Sequence, residues 1–206
     1  ADDDMVITIS HLGYIKRTPL ADFRQQGRGG VGAKASAARD EDFIEYVHQA
    51  NMHSTMMFFT EQGRLYWIKV YDIPEGNRQS KGRALQNMIN IQKGDKVCAF
   101  IHVKNLNDQE YVNNHYLIFA TKNGLMKKTT LESYSRPRAN GIIALGLRED
   151  DRLIRVTLTD GKSQMLVASY NGKVVRFPED TVRPMGRTAS GVRAIKLDED
   201  GKDCVV

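Results

Sequence analysis

LIFATKNGLMKK, residues 117–128, decides the fold that this sequence predicts. An apolar, aromatic run leads into Asn123-Gly124, and a second run follows. Asn-Gly is the strongest short-range hairpin signal, because a type I′ turn needs positive φ at both central positions. A second copy of the pattern, LVASYNGKVVRF at residues 166–177, predicts a second antiparallel hairpin.

The pattern of a β-rich run, a glycine and a basic segment occurs four times along the chain. The hairpin glycines are Gly13, Gly63, Gly124 and Gly172. A second glycine follows each of them after 17 to 19 residues, at Gly30 or Gly32, Gly82, Gly141 and Gly191. Apolar runs open at spacings of 53, 56 and 52 residues, at Asp42, Asp95, Asp151 and Asp203. Repeats of about 50 residues built from hairpins indicate a propeller-like array. A β-sandwich is the alternative, which the agreement of three landmarks in phase disfavours.

The domain prediction is one all-β domain over residues 1–206 with no helix of ten or more residues. The approximate repeats are 1–41, 42–94, 95–150 and 151–202, with 203–206 opening the next repeat. The chain ends inside what the pattern predicts to be an entering strand, so we expect the natural protein to contain further repeats.

Composition narrows the class of protein. The chain is 41% hydrophobic and 27% charged, without 18 consecutive apolar residues, and its start is acidic. These features predict a globular protein with neither a membrane span nor a signal peptide. Cys98 and Cys204 are expected to be reduced, buried side chains in a cytoplasmic protein. His48 and His53 have no third ligand nearby in sequence, so no metal site and no cofactor are predicted.

Charge is distributed unevenly along the chain. The segments 13–39, 63–94, 122–140 and 172–196 hold 23 of the 30 Lys and Arg residues but 6 of the 25 Asp and Glu residues. These segments carry a net charge of +17, and the remainder carries −12. This separation indicates one surface suited to a polyanion and another that is not.

The glycine-rich stretch QGRGGVGAKAS, residues 26–36, has two nucleotide-binding interpretations that its context disfavours. A dinucleotide fingerprint needs a strand before it and a helix after it, and a phosphate loop needs lysine where Ala33 stands. The other repeats carry equally basic loops with glycines at this position. We therefore favour contact with a polymeric phosphate backbone, through arginine forks and glycine amides. A nucleotide-using enzyme and a protein-interaction propeller remain alternatives.

Four segments together resemble the C-terminal domain family of bacterial DNA gyrase A. GYIKRTPLADFRQQGRGGVG (13–32) resembles the first blade of that domain, and residues 63–91, 123–145 and 171–195 resemble the next three. The resemblance covers essentially the whole chain. It implies a β-pinwheel, a propeller-like disk of strand-exchanged four-stranded blades, with four blades of an expected six.

Within this resemblance, Gln26 to Gly32 corresponds to the gyrase box, usually Q-[RK]-R-G-G-[RK]-G. The sequence departs from that pattern at Gly27 and Val31, where the family usually has a basic residue. Two lost cations imply a weaker hold on DNA by this loop.

The resemblance also implies a function: non-sequence-specific binding and wrapping of duplex DNA around a basic rim, which directs ATP-dependent negative supercoiling. The implied partners are double-stranded DNA, the rest of the A-type gyrase subunit, and the B-type subunit in an A2B2 holoenzyme of the bacterial nucleoid. The cleavage site and the ATP and Mg²⁺ sites of this isomerase lie elsewhere, so no catalytic site is expected here. The corresponding domain of the topoisomerase IV A-type subunit, which positions substrate for decatenation, is the nearest alternative.

The expected DNA contacts are the basic residues of each repeat together with the box. They are Lys16, Arg17, Arg24, Gln26, Gly27, Arg28, Gly29, Gly30, Val31, Gly32, Lys34, Lys69, Arg78, Lys81, Arg83, Lys127, Lys128, Arg136, Arg138, Arg176, Arg183 and Arg187. Because alternate strand residues face opposite ways, Lys16 and Arg17 cannot both point at one phosphate track. Tyr66, Trp67 and Tyr71 are predicted to pack in the core or between blades.

Overall fold

The computed structural model describes residues 4–24, 42–77 and 79–206. The all-β prediction is confirmed, since strands make up most of the regular structure. The strands are β1 (Asp4–Ser10), β2 (Tyr14–Pro19), β3 (Ile44–Asn51), β4 (Thr55–Thr60), β5 (Arg64–Lys69), β6 (Arg83–Ala84), β7 (Val97–Val103), β8 (Tyr116–Thr121), β9 (Leu125–Thr130), β10 (Ile142–Ile143), β11 (Leu153–Thr159), β12 (Gln164–Ala168), β13 (Val174–Pro178) and β14 (Val192–Arg193). The helices are α1 (Leu20–Arg24), α2 (Gln109–Asn114) and the 3-10 helices Val70–Asp72, Leu85–Asn87, Leu131–Tyr134 and Glu179–Thr181.

The strands form antiparallel sheets in which neighbouring repeats exchange strands. The four-stranded sheets have the orders β3-β1-β2-β6, β10-β5-β4-β7 and β11-β8-β9-β14, and β12-β13 is a two-stranded sheet. Each four-stranded sheet is a hairpin of one repeat completed by two strands of the next. Val205 makes an isolated bridge to Ser169 beside the two-stranded sheet. The strand exchange that the resemblance implied is therefore present.

Each hairpin turn is fixed by the same side-chain contact. The first strand of each hairpin ends in serine or threonine or, for β12, is followed directly by Ser169, and that hydroxyl accepts from the backbone N–H of the residue after the hairpin glycine. The donor–acceptor distances are 3.1, 3.1, 3.1 and 3.2 Å for Tyr14–Ser10, Arg64–Thr60, Leu125–Thr121 and Lys173–Ser169. At the turn opening β9, Gly124 has φ +93°, a conformation that side-chain-bearing residues rarely adopt.

The chain divides into two compact units. One comprises the described residues within 1–56, 68–90 and 102–104, and the other comprises residues 57–67, 91–101 and 105–206. The core of the first includes Ile7 and Ile15, which are fully buried. In the second, Phe59 and Phe119 pack edge to face with ring centroids 5.6 Å apart. Burial of this kind stabilises the folded state by about 25 cal/mol for each Å² of apolar surface that is removed from water.

The structure also bears on the predicted aromatic packing, the cysteines and the helices. Tyr66 is buried and Trp67 half-buried, as predicted, but the prediction for Tyr71 is wrong, because it is 50% exposed at the 3-10 helix after β5. Both cysteines are free and half-buried, and burial raises the pKa of Cys98 to about 12. No helix in the described residues is long and apolar enough to cross a membrane.

Candidate nucleic-acid interface

Part of the predicted interface lies outside the described residues. These predicted contacts are Gln26, Gly27, Arg28, Gly29, Gly30, Val31, Gly32, Lys34 and Arg78. Arg24 is the last residue of α1. The interface is therefore built here from the remaining predicted contacts.

Six of the predicted cations are exposed. The exposed residues are Lys81, Arg83, Arg136, Arg138, Arg176 and Arg183. Lys69 and Arg187 are half-buried. The Lys81 ammonium lies 4.0 Å from the centroid of the Tyr14 ring, and Arg136 pairs with Glu132 at 2.6 Å. Exposed pairs of this kind contribute about 0–1 kcal/mol, so Arg136 can exchange its carboxylate partner for a phosphate at little cost.

In the second unit, the basic loops of two successive repeats contact each other. The Arg187 guanidinium donates to the carbonyl oxygen of Ile143, and the Gly146 N–H donates to the carbonyl oxygen of Ala189 at 3.2 Å. The loop that carries Arg136 and Arg138 leads directly into this contact. Arginines from repeats that are about 50 residues apart in sequence are thereby brought onto adjacent loops.

Lys127 does not lie at the surface. It is 1% exposed, and its ammonium donates to the Tyr134 hydroxyl at 3.1 Å and to the carbonyl oxygens of Ala144 and Arg187 at 2.6 and 2.5 Å. Burial, and then the charge of Arg187, lower the pKa of Lys127 to about 7. Because its three N–H donors have partners within the protein, Lys127 is removed from the proposed DNA contacts.

Lys128, its neighbour on β9, is also buried. Its ammonium lies 3.6 Å from a carboxylate oxygen of Glu179, which is fully buried at the start of a 3-10 helix of the next repeat. Glu179 also accepts from the Thr159 hydroxyl at 2.7 Å and from the Ser163 N–H at 2.9 Å. This buried ion pair joins successive repeats, and it leaves Lys128 unavailable to DNA.

In the first unit, Lys16 and Arg17 contact the next repeat, as Lys127 and Lys128 do in the second unit. The Lys16 ammonium donates to the carbonyl oxygens of Asn77 and Ser80 at 2.8 and 2.9 Å, and burial lowers its pKa. Arg17 donates through Nε to the carbonyl oxygen of Ile73 at 2.6 Å and pairs with Glu75 at 3.3 Å. Both cations belong to β2, and both hold the segment of the next repeat that carries the basic loop.

The second glycines of the second, third and fourth repeats have a packing role that the sequence alone did not reveal. A Cβ on Gly82, Gly141 or Gly191 would lie 2.4, 2.6 or 2.3 Å from a carbonyl oxygen in the hairpin of the preceding repeat. Each of these glycines has positive φ. The Gly141 N–H also donates to the carbonyl oxygen of Arg138 at 3.0 Å, so it is not open to phosphate. These glycines let each basic loop approach the second strand of the preceding hairpin.

Metal chemistry gains no support from the side chains. Within the described residues, no group of three or more His, Cys, Asp or Glu side chains could hold a metal ion. The candidate site described above consists of exposed cations and of the buried groups that hold the basic loops.

Comparison with known proteins identifies the family. The model of the family described as DNA gyrase C-terminal domain, beta-propeller, matches residues 4–51, 54–104, 115–160 and 164–202. The chain belongs to the DNA gyrase C-terminal domain family. Each of its four matched segments contains one of the four hairpins, and the all-β sheets are those expected of this beta-propeller family.

Relatives and solved structures agree with that membership in the gyrase C-terminal domain family. The A-type subunit of DNA gyrase from Haemophilus influenzae is 45% identical over 197 residues, which are 96% of this chain and 22% of the relative. The C-terminal domain of DNA topoisomerase IV superposes with a TM-score of 0.79 at 27% identity, covering 100% of this chain and 60% of that one. A DNA gyrase A C-terminal domain superposes with a TM-score of 0.72 at 22% identity, covering 99% and 64%. The chain thus spans about a fifth of the length of its curated relative.

Proposed function

We propose that this chain binds duplex DNA without reading its sequence and bends the duplex along its basic loops. The observation that carries the proposal is the contact between Arg187 and the carbonyl of Ile143, which places two basic loops side by side. Arg136, Arg138 and Arg183 are exposed on these loops. Arginine forks match phosphate oxygens and carry no information about base sequence.

The energetics of such binding are dominated by phosphate contacts. Each neutralised phosphate steepens the dependence of log K on log salt by about 0.9, and bending 20–30 base pairs costs on the order of 1–6 kcal/mol. Several contacts on successive loops are needed to offset that cost. The segregation of a net +17 into the loop-bearing segments supports this arrangement.

A plasmid relaxation assay tests wrapping separately from binding. Relaxed plasmid is incubated with the chain and a relaxing topoisomerase, and the linking-number shift is measured for the wild type and for R136Q/R138Q. The control is K104Q/K162Q, which removes the same charge from exposed lysines outside the basic loops. We expect a shift with the wild type and the control and a reduced shift with R136Q/R138Q. No shift with the wild type, or equal losses in the two variants, would overturn the proposal.

We further propose that the chain is the part of DNA gyrase A that directs ATP-dependent negative supercoiling. In this proposal the A-type subunit works with the B-type subunit in an A2B2 holoenzyme at the bacterial nucleoid, and the cleavage and ATPase sites lie in other parts of that enzyme. Placing R136Q/R138Q in the whole A-type subunit should impair supercoiling by the holoenzyme while leaving ATP-independent relaxation intact. Loss of both activities would contradict a role confined to wrapping.

The topoisomerase IV A-type subunit is a second candidate, favoured by the TM-score of 0.79 to the C-terminal domain of that enzyme. A holoenzyme containing this chain would then decatenate linked circles efficiently and introduce no negative supercoils into relaxed plasmid. Gain of negative supercoils would reject this candidate.

A further inference from the structure

In each of the first three hairpins, a basic side chain donates a hydrogen bond to the backbone of the basic loop in the following repeat. Lys16 donates to Asn77 and Ser80, Arg64 donates to Asn140 at 3.0 Å, and Lys127 donates to Arg187. Every acceptor is a main-chain carbonyl oxygen of the following repeat. The basic residues therefore divide into two classes, those that hold a loop and those that the loop presents.

Lys127 makes the most extensive of these contacts. Its ammonium is bonded to both interacting loops, through the carbonyl oxygen of Ala144 in one and of Arg187 in the other. The Arg187 guanidinium donates to the carbonyl of Ile143, the residue before Ala144. Two adjacent carbonyls of one loop are thus held by Lys127 and Arg187, and the Tyr134 hydroxyl donates to Ala144 as well, at 2.6 Å.

We propose that Lys127 is a positioning residue for DNA binding, which sets the backbone at Arg187 and Ala144 and does not itself contact DNA. This inference rests on the proposed DNA-binding function. Lys16 holds the carbonyls of Asn77 and Ser80 in the same way in the first unit. Removal of the Lys127 ammonium takes away its hydrogen bond to the Arg187 carbonyl and leaves the Ala144 carbonyl with the Tyr134 hydroxyl alone, which loosens the loop that presents Arg187.

The test uses K127M, which keeps most of the side-chain volume and removes the charge. Hydrogen exchange of peptides covering residues 183–191, measured without DNA, should speed up about tenfold, with no change in K162Q, whose lysine is exposed between β11 and β12. Affinity for a 40-base-pair duplex should fall several-fold while the slope of log K against log salt stays unchanged. Unchanged exchange together with a slope reduced by about 0.9 would show a direct phosphate contact and overturn the proposal.

A double-mutant cycle with R187Q further distinguishes an effect of Lys127 that acts through Arg187 from a direct contact of Lys127 with phosphate. If Lys127 acts through Arg187, K127M should add little to the affinity loss of R187Q, whereas independent phosphate contacts should add. If K127M fails to fold, Y134F replaces it, because it removes one hydroxyl partner of Lys127 and should speed exchange in the same peptides to a smaller degree. If the wild type does not bind DNA at all, the DNA-binding proposal fails, and the exchange result still decides whether Lys127 holds the loop.

Discussion

The Oδ1 atom of Asp151 accepts a hydrogen bond from the backbone N–H of Asn123 at 3.0 Å. The two residues belong to successive repeats. The equivalent pairs are Leu12–Asp42, Gln62–Asp95 and Asn171–Asp203. In every pair the donor precedes the hairpin glycine. Asp42, Asp95 and Asp151 each precede the first strand of the next repeat, and Asp203 precedes the bridge residue Val205. The recurring aspartate therefore fixes where each repeat joins the preceding hairpin.

D151A should lower the free energy of unfolding by about 1.5–3 kcal/mol, because Oδ1 also accepts from the Arg152 N–H at 2.8 Å and both donors would lose a charged acceptor. D151N keeps an oxygen in this position and should cost less. E149A, which removes a neighbouring exposed carboxylate, is the control for urea denaturation. Equal stability of D151A and E149A would show that this contact does not hold the repeats together.

The close approach at Gly191 predicts a large effect for one added methyl group. G191A places a Cβ 2.3 Å from the Met126 oxygen at φ +98°, which should cost on the order of 2–4 kcal/mol from strain and overpacking. G186A lies in the same loop, with nothing within 4 Å of the added carbon. Thermal melts should therefore separate the two variants, and similar melting temperatures would contradict the proposed packing role.

The Lys128–Glu179 pair should behave as a buried ion pair. E179L leaves the Lys128 charge uncompensated and should cost about 3–5 kcal/mol. Adding K128M should recover part of that loss, since no unpaired charge then remains buried. D180A at the exposed neighbouring residue is the control. A double variant less stable than E179L, measured by urea denaturation, would show that the charges do not interact.

The lowered pKa of Lys127 predicts a pH-dependent stability. Between about pH 7 and pH 10 the unfolded chain keeps the Lys127 proton that the folded chain releases, so the stability contributed by this group rises with pH in that window. Below pH 7 both states are protonated, and the contribution is flat. Urea denaturation from pH 6 to 9.5 gives the free energy of unfolding of the wild type and of K127M at each pH. Above pH 7, this free energy should rise more steeply with pH in the wild type than in K127M. No slope difference would mean that Lys127 keeps its charge when folded.

Sequence reasoning predicted the parts of the fold that depend on local chemistry. Asn-Gly turns, hairpin glycines and recurring aspartates mark the hairpins and their spacing, because each acts within a few residues or at a fixed repeat offset. Strand exchange followed from the family resemblance, because the strand alternation of a single hairpin does not say which repeat supplies its neighbours.

The candidate site was predicted less completely. Alternation indicates that one of Lys127 and Lys128 faces solvent, yet both are buried because groups of the fourth repeat receive both ammonium groups. A signal for this was available in Glu179. It stands where the earlier repeats have Leu20, Val70 and Leu131, and one acid at an otherwise apolar repeat position indicates a buried partner charge.

The most direct test of DNA binding is fluorescence anisotropy of this chain on a random 40-base-pair duplex, titrated from low to physiological salt. We predict tight binding at low salt and a slope of log K against log salt equivalent to several phosphates, at about 0.9 for each. The slope should be shallower in R136Q/R138Q and unchanged in K104Q/K162Q. A flat slope, or no binding at low salt, would contradict a DNA-binding surface made of these loops.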